Sequence, residues 1–331
     1  MMQYSDFAVS GRQVSRLGFG AMGFAGWFGE QSEAEHIRAL LLALERGVNF
    51  IDTARAYGAS ERIVGEALRQ WDGPSPFVAT KVEGLAGITQ WGTPVPVEHA
   101  FPKGQVIASC EASLREMRLE RIDLLQLHTY WANWGISGTW MEELQQLKDQ
   151  GKIGQIGISV PDHRSDMVLP IVMSGLIDSV QTIINIFDPT ALEVLVPVCA
   201  HNRVAVIARC ILDEGGLTGF LTADAEFPEG DFRRDYFDAT VPRGAYIDKV
   251  DALRRFVPAN ASSLAALAIK FALHDPHVTT AITSMHVPDF AEANSAAMDE
   301  PRLRDEVFQL LMTRHRFIKN FNNVKHFGRL P

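Results

Sequence analysis

Cysteine is scarce: the 331 residues hold three, Cys110, Cys199 and Cys210, with no C-x-x-C spacing among them. So few, scattered thiols supply neither a disulfide framework nor a zinc site, so no metal is expected and a reducing cytoplasm is the expected location. Basic charge is also short, with 31 Lys and Arg against 40 Asp and Glu and a formal net charge of -9. Nucleic-acid binding needs a clustered cationic surface that neutralises phosphates, so no nucleic-acid partner is expected. No uninterrupted apolar run approaches the roughly 18 residues of a membrane span. The opening stretch Met1-Met2-Gln3-Tyr4-Ser5-Asp6 lacks the basic and apolar regions of a signal peptide. Neither membrane insertion nor export is expected.

What is present is an ordinary globular composition, 47% hydrophobic and 21% charged, at a length that suits one large α/β barrel. Residues 3–16 alternate around Ser10-Gly11-Arg12-Gln13 and read as a hairpin able to plug one end of such a barrel. From residue 32 onwards helix-period and strand-like segments alternate, which predicts a parallel sheet. Strands are predicted at 17–20, 48–52, 77–80, 122–127, 154–158, 178–182, 203–208 and 278–282. Helices are predicted at 32–46, 60–70, 104–118, 138–150, 163–174, 190–201, 243–256 and 262–274, with a long Gly/Pro-rich loop at 84–103. No linker or composition break divides the chain, so residues 1–331 read as a single (β/α)8 barrel domain with a helical C-terminal extension.

One motif has to be weighed against this. Gly18-Phe19-Gly20-Ala21-Met22-Gly23 matches G-x-G-x-x-G, the dinucleotide fingerprint of doubly wound sheets. That fingerprint opens a helix at once and meets an acid about 20 residues later. Here Gly26, Trp27 and Gly29 delay the helix, and residues 38–44 contain no acid. The glycines are better read as a first strand followed by an open loop at a site mouth.

In a (β/α)8 barrel the chemistry sits at the C-terminal ends of the strands. Strand two ends at Asp52, strand three at Thr80-Lys81, strand four at His128, strand five at Ser159, strand six at Gln181 and strand seven at Arg209. Taken singly, Lys81 reads equally as a solvated end and His128 as a hydrogen-bonded core histidine; six functional side chains on one face point to a site.

The motifs that carry a resemblance are Gly47-Val48-Asn49-Phe50-Ile51-Asp52-Thr53-Ala54 with Tyr57-Gly58 and Ser60-Glu61, then Ala79-Thr80-Lys81 and the strand 122–128. Further on come Gly151-Lys152-Ile153, Gly157-Ile158-Ser159, and Gln181 with Asn185. In order and spacing, from about residue 14 to Asn294, the chain resembles the aldo-keto reductases. The resemblance implies a barrel reductase that uses NADPH, with NADH a second option, and carries the family's catalytic tetrad onto Asp52, Tyr57, Lys81 and His128. The chemistry is coherent with those residue types. Hydride addition to a carbonyl leaves an alkoxide that needs a proton donor and charge stabilisation. A tyrosine, with a pKa near 10, gains acidity from an adjacent cation such as Lys81 held by Asp52. His128 can share the carbonyl oxygen with Tyr57 through a hydrogen bond.

For the cofactor, the resemblance assigns Ser159 and Gln181 to the nicotinamide carboxamide, beside Asp52, and the segment holding Arg209, Cys210, Leu212 and Gly216 to the ring and phosphates. It extends the contacts to Gly20 and Met22 in the first loop and to His286, Phe290 and Asn294 after strand eight. The sequence also departs from the family's pattern. Val160 replaces a common asparagine, Arg209 replaces a frequent aromatic that stacks on the nicotinamide, and Thr283-Ser284 replaces Pro-Gly. His286 stands where Lys or Arg commonly grips the 2′-phosphate, which opens the choice between NADPH and NADH.

Aromatic residues crowd two loops: Trp91 and Phe101 in 84–103, and Tyr130, Trp131 and Trp134 after His128, with Trp27 in the first loop. Some of these rings pack loops together. Trp27, Trp91 and Trp131, with Tyr57 and His128, are the candidate substrate contacts, and their flat apolar faces suit a ring-bearing carbonyl or alcohol. Two other readings use the same residues: a cofactor-binding regulatory subunit with little turnover, and Schiff-base chemistry at Lys81. The oligomeric state is not legible.

Overall fold

A computed structural model of the chain describes residues 1–29, 31–85, 95–238 and 241–319. Trp91 lies outside the described residues.

The opening hairpin pairs β1 (Tyr4–Asp6) antiparallel with β2 (Gln13–Ser15), Tyr4 opposite Ser15. Its turn carries Gly11 at φ 71, a left-handed conformation in which glycine has no Cβ penalty. The hairpin does plug one end of the barrel. Phe7 is fully buried with its ring centroid 4.5 Å from Phe77 and 5.9 Å from Phe50. Phe7 and Val14 share a small core with Phe50, Phe77, Leu124 and Ile207. Arg12 fastens the hairpin by a 2.7 Å ion pair to Asp123, whose other carboxylate oxygen accepts the backbone N–H of Val78.

Eight parallel strands then close into a barrel: β3 (Leu17–Gly20), β4 (Phe50–Asp52), β5 (Phe77–Glu83), β6 (Ile122–His128), β7 (Ile153–Ser159), β8 (Ser179–Ile183), β9 (Ala205–Arg209) and β10 (Val278–Ser284). Each pairs with the next, and β10 returns to β3. The run β4 is shorter than predicted. Val48 N–H instead bonds back to Ala43 of the preceding helix, past the turn at Gly47, so pairing begins only at Phe50. At the other end β5 and β10 run on past their predicted ends.

Helices cover the outside. The first, Glu33–Glu45, starts with a full capping box, Ser32 accepting from Glu35 N–H and Glu35 reaching back to Ser32, a device worth about 1 kcal/mol. The segment predicted as one helix at 190–201 is two, Thr190–Glu193 and Leu195–Asn202. Val194 at φ -127 breaks the first, and Pro197 cannot donate to it. Likewise 163–174 resolves into a tight turn followed by Leu169–Met173, and 243–256 into Arg243–Asp251 with a tight turn after it. The helix Arg233–Asp238, in the loop after β9, has no counterpart in the sequence reading. Beyond β10 the C-terminal extension supplies Pro288–Ala296 and Asp305–Arg314. No helix among the described residues is long and apolar enough to cross a membrane.

Candidate active site

Strand alternation carries the strand-end side chains into the C-terminal mouth of the barrel. Asp52 closes β4 and is almost wholly buried, as is Lys81 on β5. Lys81 Nζ donates to Asp52 Oδ1 at 2.5 Å and to the carbonyl of Thr53 at 2.9 Å. The other oxygen of Asp52 accepts from Gln181 at 2.8 Å and from Gln126 at 3.2 Å. A buried ion pair survives only when its remaining hydrogen-bonding capacity is filled in this way.

Tyr57 arrives on the loop after β4 and lies over this pair. Lys81 Nζ is 4.9 Å from the centroid of its ring. His128, which ends β6, meets Tyr57 edge-on with centroids 5.9 Å apart. Trp27 approaches the same ring from the first loop, also edge-on at 5.9 Å. The structure therefore brings Asp52, Tyr57, Lys81 and His128 into one cluster.

Their protonation follows from burial and charge. For Lys81 burial opposes the charged form, but Asp52 and Tyr57 more than offset it, so its pKa is raised and the ammonium persists. Burial pushes His128 down to about 3, helped by the cations Lys81 and Arg209, so its imidazole is neutral at pH 7. Tyr57 differs from expectation. Lys81 and Arg209 do pull its pKa down, but burial outweighs them and the net shift is upward. The phenol thus stays protonated, which suits a proton donor.

The expected cofactor residues lie around this cluster. Ser159 and Gln181 are register partners on β7 and β8. Ser159 Oγ, Gln126 Oε1 and Arg209 Nε are buried with no hydrogen-bond partner among the described residues. Orphaned buried polar atoms are costly, and a carboxamide, which both donates and accepts, matches such a donor and acceptor set. Gln181 gives one amide N–H to Asp52, as Gln126 does, and its amide carries a second. Gly20 lies so close to the β10 backbone that a Cβ would stand 3.0 Å from Thr283 O, while Met22 is partly buried in the turn that follows.

After β10, His286 is buried. Its ring stacks on Phe28 at 5.5 Å, its Nδ1 lies 2.8 Å from Ser284 Oγ, and a Cβ on Gly23 would strike it at 2.5 Å. Burial lowers its pKa to about 4, so it carries no charge at neutral pH. Phe290 is half-exposed and edge-on to His286, and Asn294 donates to Thr283 Oγ1 at 3.2 Å. The nearby cation is Arg233, 5.1 Å from the Phe28 ring centroid and paired with Asp231 at 2.5 Å.

The loop after β9 is more acidic than a phosphate contact suggests. Cys210, Asp213 and Glu214 all adopt positive φ. Asp213 accepts from the hydroxyls of Tyr236 and Tyr246, and Cys210 Sγ donates to Glu214 at 3.2 Å. Burial raises the Glu214 pKa to about 7. Leu212 packs against the core, and a Cβ on Gly216 would fall 2.0 Å from Tyr246 Oη, a position only glycine fills.

Of the aromatics, Trp27 remains partly exposed at the mouth, whereas Trp131, Trp134, Tyr130 and Phe101 are buried in the core cluster. Trp134 Nε1 donates to Val95 O at 2.7 Å and Tyr130 to Gly135 O at 2.9 Å, as loop-packing rings do. Sequence reasoning missed Gln126, Asp162, Phe28 and Arg233. Gln126 sits two residues before His128 on the same strand, so alternation alone could have placed it beside Asp52. The others depend on contacts between distant loops.

A closed parallel barrel with a buried cluster of Tyr, Lys, Asp and neutral His at its C-terminal mouth defines the class as a barrel enzyme. The chain belongs to the aldo/keto reductase family, whose model matches residues 16–313. It is 28% identical over 302 residues to the aldo-keto reductase YhdN of Bacillus subtilis, covering 89% of this chain and 88% of that protein. It is 26% identical over 340 residues to a probable voltage-gated potassium channel subunit beta of Arabidopsis thaliana, covering 95% and 98%. Among solved structures, the glycerol dehydrogenase of Gluconobacter oxydans superposes with a TM-score of 0.77 at 25% identity, covering 94% of this chain and 95% of that one. The chain is accordingly an NAD(P)-dependent oxidoreductase.

Proposed function

We propose that the protein interconverts a carbonyl compound and its alcohol, with Tyr57 as the general acid and base. The observation that carries this reading is the buried Lys81–Asp52 pair beneath Tyr57, with a neutral His128 against the same ring. A nicotinamide, when bound, supplies or accepts the hydride. Tyr57 gives a proton to the alkoxide oxygen in reduction and takes one from the alcohol in oxidation. Lys81 stabilises the phenolate left behind, and Asp52 holds Lys81 in place. His128 orients the substrate oxygen by a hydrogen bond. Ser159, Gln126 and Arg209 would hold the cofactor at the barrel floor, and residues 283–294 its adenosine end.

Tyr57→Phe tests the assignment. General-acid catalysis is worth about 10²- to 10⁴-fold, so kcat falls by that order while cofactor Kd stays within about threefold. A variant that keeps more than a tenth of wild-type kcat in a chemistry-limited assay removes Tyr57 from the role.

Two finer points belong to the same reading. With His286 uncharged, NADPH loses the usual grip on its 2′-phosphate, so modest NADPH preference or use of both cofactors is proposed. With Trp27 beside Tyr57, a ring-bearing substrate, a cyclic ketone or the C–H face of a sugar, has an apolar wall to lie on. The glycerol dehydrogenase likeness supports the competing outcome, a small open-chain polyol. The likeness to a potassium channel β subunit supports the second reading, a cofactor-binding regulatory subunit; turnover below one per minute on every alcohol and carbonyl tried would favour it. We also read the chain as one domain working in the cytoplasm, in keeping with buried Cys110 and Cys199, whose thiols burial pushes up to about 12.

A further inference from the structure

Arg209 is the last residue of β9, and its guanidinium is buried at the barrel mouth. One terminal nitrogen donates to Val160 O at 3.0 Å and to the carboxylate of Asp162, and the other donates to Cys210 Sγ at 3.3 Å. The Nε–H is buried without a partner among the described residues. The group is therefore tied down at its outer end and has an unused donor. Its charge reaches into the catalytic cluster. Its anchor on Val160 O sets the guanidinium beside Ser159, whose hydroxyl is also without a partner among the described residues, and its positive charge helps to lower the pKa of both His128 and Tyr57.

We propose that Arg209, anchored by Asp162, discriminates between the two redox states of the cofactor, favouring the uncharged reduced nicotinamide over the cationic oxidised one. The inference rests on the reading that a dinucleotide occupies this mouth with its nicotinamide at the barrel floor. Nicotinamide gains a positive ring charge when it gives up hydride and loses that charge when it accepts one. A fixed cation close to the ring disfavours the charged form; the Asp162 carboxylate offsets part of that field, and at an effective dielectric of about 20 the remainder is on the order of 1.4 kcal/mol, tenfold in affinity. A planar guanidinium can also lie flat against a ring, as the aromatic it replaces would. The consequence is directional: bound cofactor is a stronger hydride acceptor, and the site is biased towards oxidising an alcohol, its C–H hydride passing to the nicotinamide and its O–H proton to Tyr57 in its phenolate form, reached when the phenol has released its own proton to solvent.

The test is binding, not turnover. The purified protein is titrated at pH 7 with NADP⁺, NADPH, NAD⁺ and NADH, following ligand or tryptophan fluorescence. The wild type is expected to bind each reduced form at least tenfold more tightly than its oxidised partner. Arg209→Gln is expected to cut that ratio at least fivefold, chiefly by tightening the oxidised form, while Arg209→Lys keeps it within about threefold of wild type. A wild-type ratio near one overturns the inference even if a variant fails to fold. A ratio that the Gln variant leaves unchanged, or that Gln and Lys lower alike, overturns it as well. If the wild type binds none of the four dinucleotides, the underlying reading of the site fails instead.

Discussion

The floor and the rim of the barrel mouth are built on different terms. At the floor, Asp52, Lys81 and Gln126 lie on the consecutive strands β4, β5 and β6 and meet Gln181 of β8 inside the barrel, satisfying one another directly with distances of 2.5–3.2 Å. At the rim, Phe28 and His286 meet Phe232 and Arg233 from loops far apart in the chain, and acids line the segment after β9. Floor residues are fixed by a closed hydrogen-bonded sheet, so each is determined by its strand position. Rim residues depend on how loops fold against one another. The acid–base chemistry should therefore be rigid to change, and cofactor and substrate preference should be adjustable.

The largest expected effect is at the floor. Lys81→Met leaves Asp52 buried and unpaired, which costs about 3–5 kcal/mol, and deprives Tyr57 of its cation. Thermal melting should shift down markedly, and kcat should fall at least about 10²-fold in whatever protein remains folded. A stable, active Met variant would erase the distinction between the two regions.

At the rim the effects shrink. We expect kcat/KM for a cyclic or glycosidic substrate to exceed that for a three-carbon aldehyde by about tenfold, roughly 1.4 kcal/mol. Trimming Trp27, and secondarily Trp131, to alanine should narrow the gap. Equal efficiencies in the wild type would return these rings to a packing role. For the cofactor, His286→Arg should raise the NADPH-to-NADH affinity ratio about fivefold, since an arginine at the mouth stays charged where His286 does not. No change would mean that another residue, Arg233 first, reads the 2′-phosphate.

The remaining effects come from titration, and the two regions have opposite signs. His128 has its pKa lowered to about 3, so the folded protein binds fewer protons there than the unfolded chain, and stability is lost as pH falls below about 6.5. Glu214 has its pKa raised to about 7, so stability is lost as pH rises from about 4.5 to 7. Glu214→Gln should remove that second slope and raise the melting temperature at pH 8 by a few degrees while leaving the acid side unchanged. An unaltered profile would show that Glu214 titrates like an exposed carboxylate.

The same contrast governs what could be read without coordinates. The eight barrel strands were legible because buried parallel strands are short apolar runs ending in polar residues, as 122–128 does. Asp52, Lys81 and His128 followed from their positions at those ends, and Tyr57, on the loop after β4, from the family resemblance. The ion pair of Arg209 with Asp162 was not legible, because the two residues meet only when the loop after β7 folds against the end of β9. The burial of Trp131 was hidden for a similar reason. An aromatic after a strand reads as a mouth residue until the loop above it is seen to fold over it. The helix break at Val194 was missed because apolar periodicity continues through it.

The hairpin sealed by Phe7 and Val14 has one more consequence. It makes the barrel a blind well: at its far end those side chains are fully buried against Phe50 and Phe77. Substrate, cofactor, water and protons then reach Lys81 from the C-terminal mouth, where Trp27 stands beside Tyr57. Whatever lies deepest has to enter first and leave last, so the order of events at this site is set by a stopper at the opposite end of the molecule.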